Sequence, residues 1–337
     1  LGYIHGRRQG STFEQNIIKD IMRFLSKLWM LTFAAAFLVS CGSKDKPAGT
    51  SEKLTGAISI DGSSTVYPIT EAVAEEFRVE QTDVKITVGV SGTGGGFKKF
   101  SVGETDINDA SRLIKDQEMA TCKEHNINYV ALKIAFDGLA VLANKENTWI
   151  KDITVEELKK MWEPDAQGKI TKWNQIRPEW PAEEFHLYGP GVASGTYDYF
   201  TEAIVGKSGS SRGDFTASED DNVLVQGIAG DKNALGFFGL AYYEENIDKL
   251  KLVGVNSGKG AVLPSEETIK NGTYAPLSRP IFIYVSDRAV KKPEVISFVE
   301  FYLKNASNVV PDVGYIALPA EEYAAESEKF STFVAGK

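Results

Sequence analysis

The chain has 337 residues, 42% of them hydrophobic and 25% charged, and its 37 Lys and Arg against 46 Asp and Glu give a formal charge of −9. That is enough apolar mass for two lobes of ordinary domain size, and the acidic balance argues against nucleic acid or an anionic lipid surface as a partner of the folded part. Cys41 and Cys122 are the only cysteines, too few for a disulfide framework, and Cys122 is read as a buried, unreactive thiol.

Residues 1–21 lack an initiating Met and show no clear period, so they are read as an upstream extension, with translation expected to begin at Met22. Arg23 and Lys27 then precede an apolar run from Leu28 to Val39, the pattern of a secretion signal and shorter than a comfortable membrane span. Its end, Leu38-Val39-Ser40-Cys41, resembles the lipobox of bacterial lipoproteins, which implies cleavage before Cys41 and lipidation of its thiol. Residues 41–53 are polar and small and are expected to form a flexible tether. Without residues 1–40 there remain 32 basic and 44 acidic side chains, a charge of −12. An anionic ligand would have to be held by local dipoles and a few basic groups against that field.

The folded part is expected from Leu54. A strand around Ala57 to Ile60 runs into Asp61-Gly62-Ser63-Ser64-Thr65, and Ile69, Val73 and Phe77 then mark a helix. Val84, Ile86, Val88 and Val90 alternate as a second strand, followed by Ser91-Gly92-Thr93-Gly94-Gly95-Gly96-Phe97-Lys98-Lys99. A glycine run between strand and helix can aim successive N–H groups at one point and cradle an anion; it can also be only a tight connection. Thr105 to Arg112 reads as a short strand ending in a polar turn, with Asp116, Gln117 and Glu118 at a helix start. Asp109, Ser111 and Arg112 therefore fall where the carboxyl end of a strand delivers residues to the crevice of an α/β sheet. Two of them have a plainer reading, Asp109 as a turn cap and Arg112 as a surface charge.

Val130 to Ala143 is long and apolar enough to leave one lobe and enter another. Thr154-Val155-Glu156-Glu157 is a capping box ahead of Leu158, Met161 and Trp162, and Trp173 and Trp180 are read as packing anchors of a loop. Phe185 to Tyr188 is a strand, and Ser194-Gly195-Thr196 is a third hydroxyl-bearing helix start before Tyr197, Phe200 and Ile204. Gly206 to Asp214 is a loop carrying Arg212, and the acids of Ser218-Glu219-Asp220-Asp221 suit the positive start of a helix. Leu235 to Tyr243 is read as a glycine-broken strand, Tyr274 to Val285 as a second crossing, and Val295, Phe298, Val299 and Tyr302 as an amphipathic helix. Two crossings predict an α/β fold of two discontinuous lobes around a cleft, residues 54–138 with 277–337 and residues 139–276.

Asp61 to Pro68, Ser91 to Phe97, Asp109-Ala110-Ser111-Arg112, Ser194-Gly195-Thr196 and the aromatic Leu235 to Tyr243 stretch, in that order, resemble the phosphate-binding proteins of bacterial Pst ABC importers. The resemblance runs from about Leu54 to the C-terminus. It implies a type II periplasmic-binding-protein fold, each lobe a mixed sheet flanked by helices, that closes on one inorganic phosphate and hands it to an ABC permease. It also implies a monomer without cofactor or metal, held in the periplasm or cell envelope by lipid on Cys41. By position, Ser64 and Thr65 would donate from the first helix start, Ser91 and the amides of Gly92, Thr93 and Gly94 from the second, and Ser194, Gly195 and Thr196 from the other lobe. An arginine often found four residues before that last serine is replaced by Pro190, which leaves Arg112 or Arg212 to supply the cation.

A carboxylate beside phosphate makes sense as acceptor from a protonated phosphate oxygen, which sulfate lacks at neutral pH. Asp109 is the first candidate, with Asp61 and Asp137 as rivals. A P-loop is excluded because no Gly-Lys-Ser/Thr closes the glycine run. A lipoprotein hydrolase would need His125 or His186 in its triad, and no Gly-x-Ser-x-Gly elbow is present. Another oxyanion on the same fold (sulfate, molybdate or an organic phosphate) is the remaining alternative.

Overall fold

A computed structural model describes residues 53–336. The expected leader, the lipidation site Cys41 and all of the tether but Lys53 lie outside the described residues.

Alternating apolar residues build the first lobe. Ile58 and Ile60 point inward from β1 (Gly56–Gly62), Val84 and Ile86 from β2 (Val84–Gly89), and the two strands pair in parallel. Between them α1 (Tyr67–Glu80) buries Ile69, Val73 and Phe77 at helical spacing, with Pro68 in its first turn where a missing N–H costs nothing. β3 (Ile107–Ala110) adds to the other edge of β1.

The glycine run is helical from its second residue, as α2 (Gly92–Phe100), and does not form the separate loop expected of a cradle. The cause is a close approach. A Cβ on Gly96 would lie 2.0 Å from Asn108 Oδ1 and 2.6 Å from Gly62 Cα, so the glycine lets α2 lie against β1 and β3. Phe97 and Phe100 then anchor the helix in a small cluster with Cys122, Ile127 and Tyr284, each ring worth roughly 1.5–3 kcal/mol on full burial. Cys122 is buried, as expected, and burial pushes its thiol up to about 11. It belongs to α3 (Asp116–Glu124).

β4 (Tyr129–Asn144) and β12 (Ser278–Ser286) are the two crossings. They pair antiparallel from Gly138 opposite Ser278 to Tyr129 opposite Ser286, and beyond that point β4 changes partner, with Leu139 opposite Gly239 of β8 (Ala234–Gly239). The N–H of Leu139 donates to the carbonyl of Leu277 at 2.9 Å, so exit and return lie side by side. The second crossing starts at Ser278, four residues later than expected.

In the second lobe, Thr154 and Glu157 form the expected reciprocal cap of α4 (Val155–Trp162), beside the short β5 (Asp152–Thr154). β6 (His186–Pro190) leads to α5 (Gly195–Phe200), which continues as a π-turn over Thr201–Val205. After β7 (Thr216–Ser218), Asp220 caps α6 (Asp221–Gly230) by accepting from Asn222 N–H at 2.9 Å. The aromatic stretch after it divides. Its strand ends at Gly239, and Leu240 to Glu244 form a helical turn, α7 (Leu240–Glu244), with Leu240 buried. The long sheet runs β2-β1-β3-β12-β4-β8-β6-β7. Trp173 and Trp180 pack edge to face in the core, as expected.

Between α7 and β12 lie β9 (Leu250–Leu252), β10 (Gly254–Asn256), β11 (Ala261–Val262) and α8 (Glu266–Lys270), and beyond β12 α9 (Pro293–Asp312) buries Val295, Phe298, Val299 and Tyr302 against the first lobe. β13 (Ile316–Ala317) and α10 (Ala320–Ala335) close the chain against β4. This is the two-lobed α/β architecture of the type II binding-protein fold.

Candidate functional site

Three chain reversals at strand ends converge where the lobes meet. A cavity of about 230 Å³ is lined from the first lobe by Ser63, Ser64 and Thr65 at the start of α1, by Gly92, Thr93 and Gly94 at the start of α2, and by Ser111 and Arg112 after β3. Asp198, Tyr199, Glu202 and Ser208 face it from the second lobe, and Arg279 from β12. The positive ends of α1 and α2 favour an anion there. Gly92 adopts φ +75°, a left-handed turn that lets α2 start beside α1.

The hydroxyls are held in place. Thr93 Oγ1 and Ser111 Oγ are 2.9 Å apart, and the N–H of Ser111 donates to Thr93 Oγ1 at 3.1 Å. Ser64 Oγ donates to Asp198 Oδ2 at 3.0 Å, and Thr65 Oγ1 donates to the carbonyl of Gly195 at 3.3 Å, both across the lobes. A Cβ on Gly195 would sit 2.5 Å from Thr65 N and 2.7 Å from Ser64 C.

Arg279 was read only as part of an apolar crossing, and it is the most buried cation of the cavity. Its Nη2 donates to Thr65 Oγ1 at 3.0 Å, its Nε to Asp137 Oδ2 at 3.3 Å, and its guanidinium lies over the Tyr199 ring at 3.4 Å from the centroid. Tyr199 is fixed in turn by its hydroxyl, which donates to the carbonyl of Pro276 at 2.7 Å. Burial lifts the Asp137 carboxyl above the usual range, although Arg279 opposes that shift. Asp137, weighed as a proton acceptor, is therefore the partner of this arginine. The sequence signal was a single Arg inside a crossing strand, a place where an unpaired charge is costly.

Arg112 also lines the cavity, with its fork engaged by Glu118 through Nη1–Oε2 at 2.9 Å and Nη2–Oε1 at 2.8 Å. Glu118 raises the affinity of Arg112 for its proton, and the Glu118 carboxyl is held low by Arg112 in spite of burial.

Of the other expected contacts, Ser194, Gly195 and Thr196 lie across the Thr65–Gly195 seam. They line an adjoining opening of about 760 Å³ whose walls include Asp137, Glu219, Asp221 and Asp312. That acidic wall suits an anion less well than the donor-lined cavity. Ser194 caps α5, accepting from Thr196 N–H at 3.2 Å.

Three expected residues fall outside both spaces. Ser91 turns toward Asp61, whose Oδ1 accepts from Ser91 N–H at 3.0 Å and from its hydroxyl at 2.6 Å. Lys99 pairs with the same carboxylate. Burial would raise the Asp61 carboxyl, but the bonds from Lys99 and Ser91 hold it below its usual value. Asp109 faces the core beneath α1 and α9, because alternation along β3 turns it away from the crevice. Thr70 Oγ1 donates to Asp109 Oδ1 at 3.1 Å, Oδ2 has no partner, and burial, with the nearby charge of Asp61, pushes this acid up to about 8. Arg212 is 4% exposed, and its donors go to Asp214 and to the carbonyls of Met161 and Ile170 at 3.1 and 2.8 Å. It locks the fold of the second lobe and does not reach the cavity.

Neither histidine of a hypothetical triad lines the cavity. His186 pairs with Asp231 at 2.5 Å on the surface, and His125 is exposed with its carbonyl accepting from Arg288.

Residues 47–306 match the family model described as a PBP superfamily domain. The chain is 54% identical over 277 residues to Protein SphX of Synechocystis sp., covering 82% of each chain. It is 37% identical over 305 residues to the Phosphate-binding protein PstS of Staphylococcus epidermidis, covering 89% of this chain and 91% of that one. Among solved structures, a possible phosphate binding protein from Planctomyces limnophilus superposes with a TM-score of 0.80 at 46% identity, over 83% of this chain and 99% of the other.

Proposed function

The chain belongs to the PBP superfamily, and from that premise we propose that it captures inorganic phosphate between its lobes and delivers it to an ABC-type permease. The observation that carries this reading is the convergence of the α1 and α2 starts, the hydroxyls of Ser64, Thr65, Thr93 and Ser111, and the guanidinium groups of Arg112 and Arg279 on one cavity. Neutral donors with a planar fork beside them can surround a tetrahedral oxyanion, Ser64 and Thr65 turning their O–H groups to it from Asp198 and the Gly195 carbonyl. The relative named for phosphate binding matches along 91% of its length.

In this reading the anion is bound and released unchanged, and the protein needs no cofactor. Phosphate contacts come from Ser64, Thr65, Gly92, Thr93, Gly94, Ser111, Arg112 and Arg279, with Ser194, Gly195 and Thr196 closing from the other lobe. The lobes comprise residues 54–138 with 277–337 and residues 139–276, a division supported by the change of partner along β4 between Gly138 and Leu139. The receptor works outside the cytoplasmic membrane as a monomer tethered by lipid on Cys41, a placement supported by the apolar leader and Leu38-Val39-Ser40-Cys41.

Calorimetric titration of ligand-stripped protein tests the reading. Stoichiometric binding of phosphate with no heat from sulfate is expected. Sulfate binding in its place would keep the fold and overturn the assigned anion, and turnover of a chromogenic phosphate ester would overturn the carrier.

A further inference from the structure

Arg112 and Arg279 line one cavity but are oriented in different ways. Arg112 meets Glu118 through two parallel bonds, Nη1 to Oε2 and Nη2 to Oε1, and such a pair fixes the plane of a guanidinium by itself. Arg279 has no bidentate partner among the described residues. Its Nε donates to Asp137 Oδ2 at 3.3 Å and its Nη2 to Thr65 Oγ1 at 3.0 Å, a single bond to each. Glu202, 58% exposed, stands 3.9 Å from Nη1, beyond hydrogen-bond reach and open to water. Two anchored points leave a planar group free to turn about the line that joins them.

The third constraint is the Tyr199 ring. Arg279 Cζ lies 3.4 Å from its centroid, a separation at which the two planes must lie face to face, since a tilted guanidinium would drive a nitrogen into the ring. The ring itself is fixed. Tyr199 is buried in α5, and its hydroxyl donates to the Pro276 carbonyl at 2.7 Å, so it is pinned to the same returning segment that carries the arginine it covers.

We propose that Tyr199 is a positioning residue of the phosphate site, its ring setting the plane of the Arg279 guanidinium so that the hydrogens of Nη1 and the second hydrogen of Nη2 are aimed into the cavity. The inference deepens the phosphate reading and rests on it. The ring also takes the place of water on one face of the guanidinium, and the attraction of a cation for an aromatic face is strongest where water is excluded. Arg112 supplies the contrast: the Phe97 ring lies 5.5 Å from its Cζ, and Glu118 already sets its plane. A ring that only filled space would act alike whatever cation stood over it. A ring that orients a plane matters to arginine and not to lysine, whose ammonium is a point charge with no plane to set.

The test is a double-mutant cycle on the full chain, read by phosphate calorimetry and melting temperature in wild type, Tyr199→Met, Arg279→Lys and the double variant, with Tyr199→Phe beside them. Tyr199→Met keeps apolar bulk and removes the aromatic face; phosphate affinity is expected to fall by about tenfold or more, while Tyr199→Phe stays within about threefold of wild type. In the Arg279→Lys background the same Tyr199→Met change should cost less than about twofold. Equal losses in the two backgrounds would make the ring a packing element and overturn the inference, as would wild-type affinity in Tyr199→Met. Should Tyr199→Met fail to fold, phenylalanine with fluorine on its ring, placed at position 199 alone, decides in its stead. Shape is kept and the negative face is depleted, so affinity should fall by about threefold or more below that of Tyr199→Phe, and equal affinities would overturn the inference. A wild type that binds no phosphate would overturn the phosphate reading together with this inference, whereas phosphate binding by wild type with no effect of the ring would overturn the inference alone.

Discussion

Arg279 and Asp137 are cross-strand partners in the register of the two crossings, and their side chains meet at 3.3 Å from Nε to Oδ2. The cation of the candidate site is thus built into the connection between lobes. It is held from one side by an acid and from the other by the Tyr199 ring.

Arg279→Lys should keep the charge and lose the fork. Phosphate affinity is expected to fall at least tenfold, and Arg279→Ala should abolish detectable binding and lower stability by about 3–5 kcal/mol by stranding Asp137. Calorimetry and urea unfolding check both. Wild-type affinity in Arg279→Ala would exclude this arginine from the site.

Gly195→Ala introduces a methyl 2.5 Å from the Thr65 nitrogen, against backbone that cannot swing aside. Closure of the lobes should suffer while each lobe keeps its core, so affinity is expected to drop by about tenfold or more with little change in melting temperature. Equal losses in both would mean that the contact matters to folding and not to closure.

Asp109 ionises at about 8 in the folded chain against an ordinary 3.8, because burial disfavours its charge. Between those values the native state holds a proton that the unfolded chain has released. The stabilisation is complete below pH 4 and is lost as pH rises toward 8, by up to about 1.4 kcal/mol per unit. Urea unfolding from pH 5 to 8 should show a shallower decline in Asp109→Asn than in wild type. Parallel curves would mean that Asp109 is ionised when buried.

Ser91→Ala removes a hydroxyl bonded to Asp61, not one that lines the cavity. A stability cost of about 1 kcal/mol with less than about a threefold change in affinity is expected. A tenfold loss of phosphate affinity at unchanged stability would return Ser91 to the binding set.

Arg212→Ala takes a donor from the carbonyls of Met161 and Ile170 and leaves Asp214 with the N–H of Gly168 alone. The second lobe should lose about 3–5 kcal/mol, and protein that remains folded should bind phosphate within about twofold of wild type. An intact melting curve with lost binding would contradict the structural role.

The order of strands and helices was legible because period-two runs such as Ile58–Ile60 and helical triplets such as Ile69, Val73, Phe77 carry their own geometry. The helix starts at Ser64, Gly92 and Ser194 followed from the same local logic. Three things were not legible, each for a different reason. The direction of Asp109 depends on where β3 begins, since one residue of register reverses a side chain. Arg212 finds its carbonyls 51 and 42 residues away, at Met161 and Ile170. Arg279 gains its meaning from Asp137, 142 residues earlier, which local patterning cannot pair with it.

The adjacency of Leu139 and Leu277 makes everything between them an insertion with a single port. Such a segment can be lengthened, trimmed or exchanged by recombination at one junction without disturbing the host's strand order. Gly138 and Ser278 already face each other across that junction, so a two-residue hairpin turn could reclose the host. The architecture thus divides the site by chain continuity: the host carries Arg279, Thr65 and the donor-bearing helix starts, and the inserted segment brings the second wall of the cavity with Tyr199.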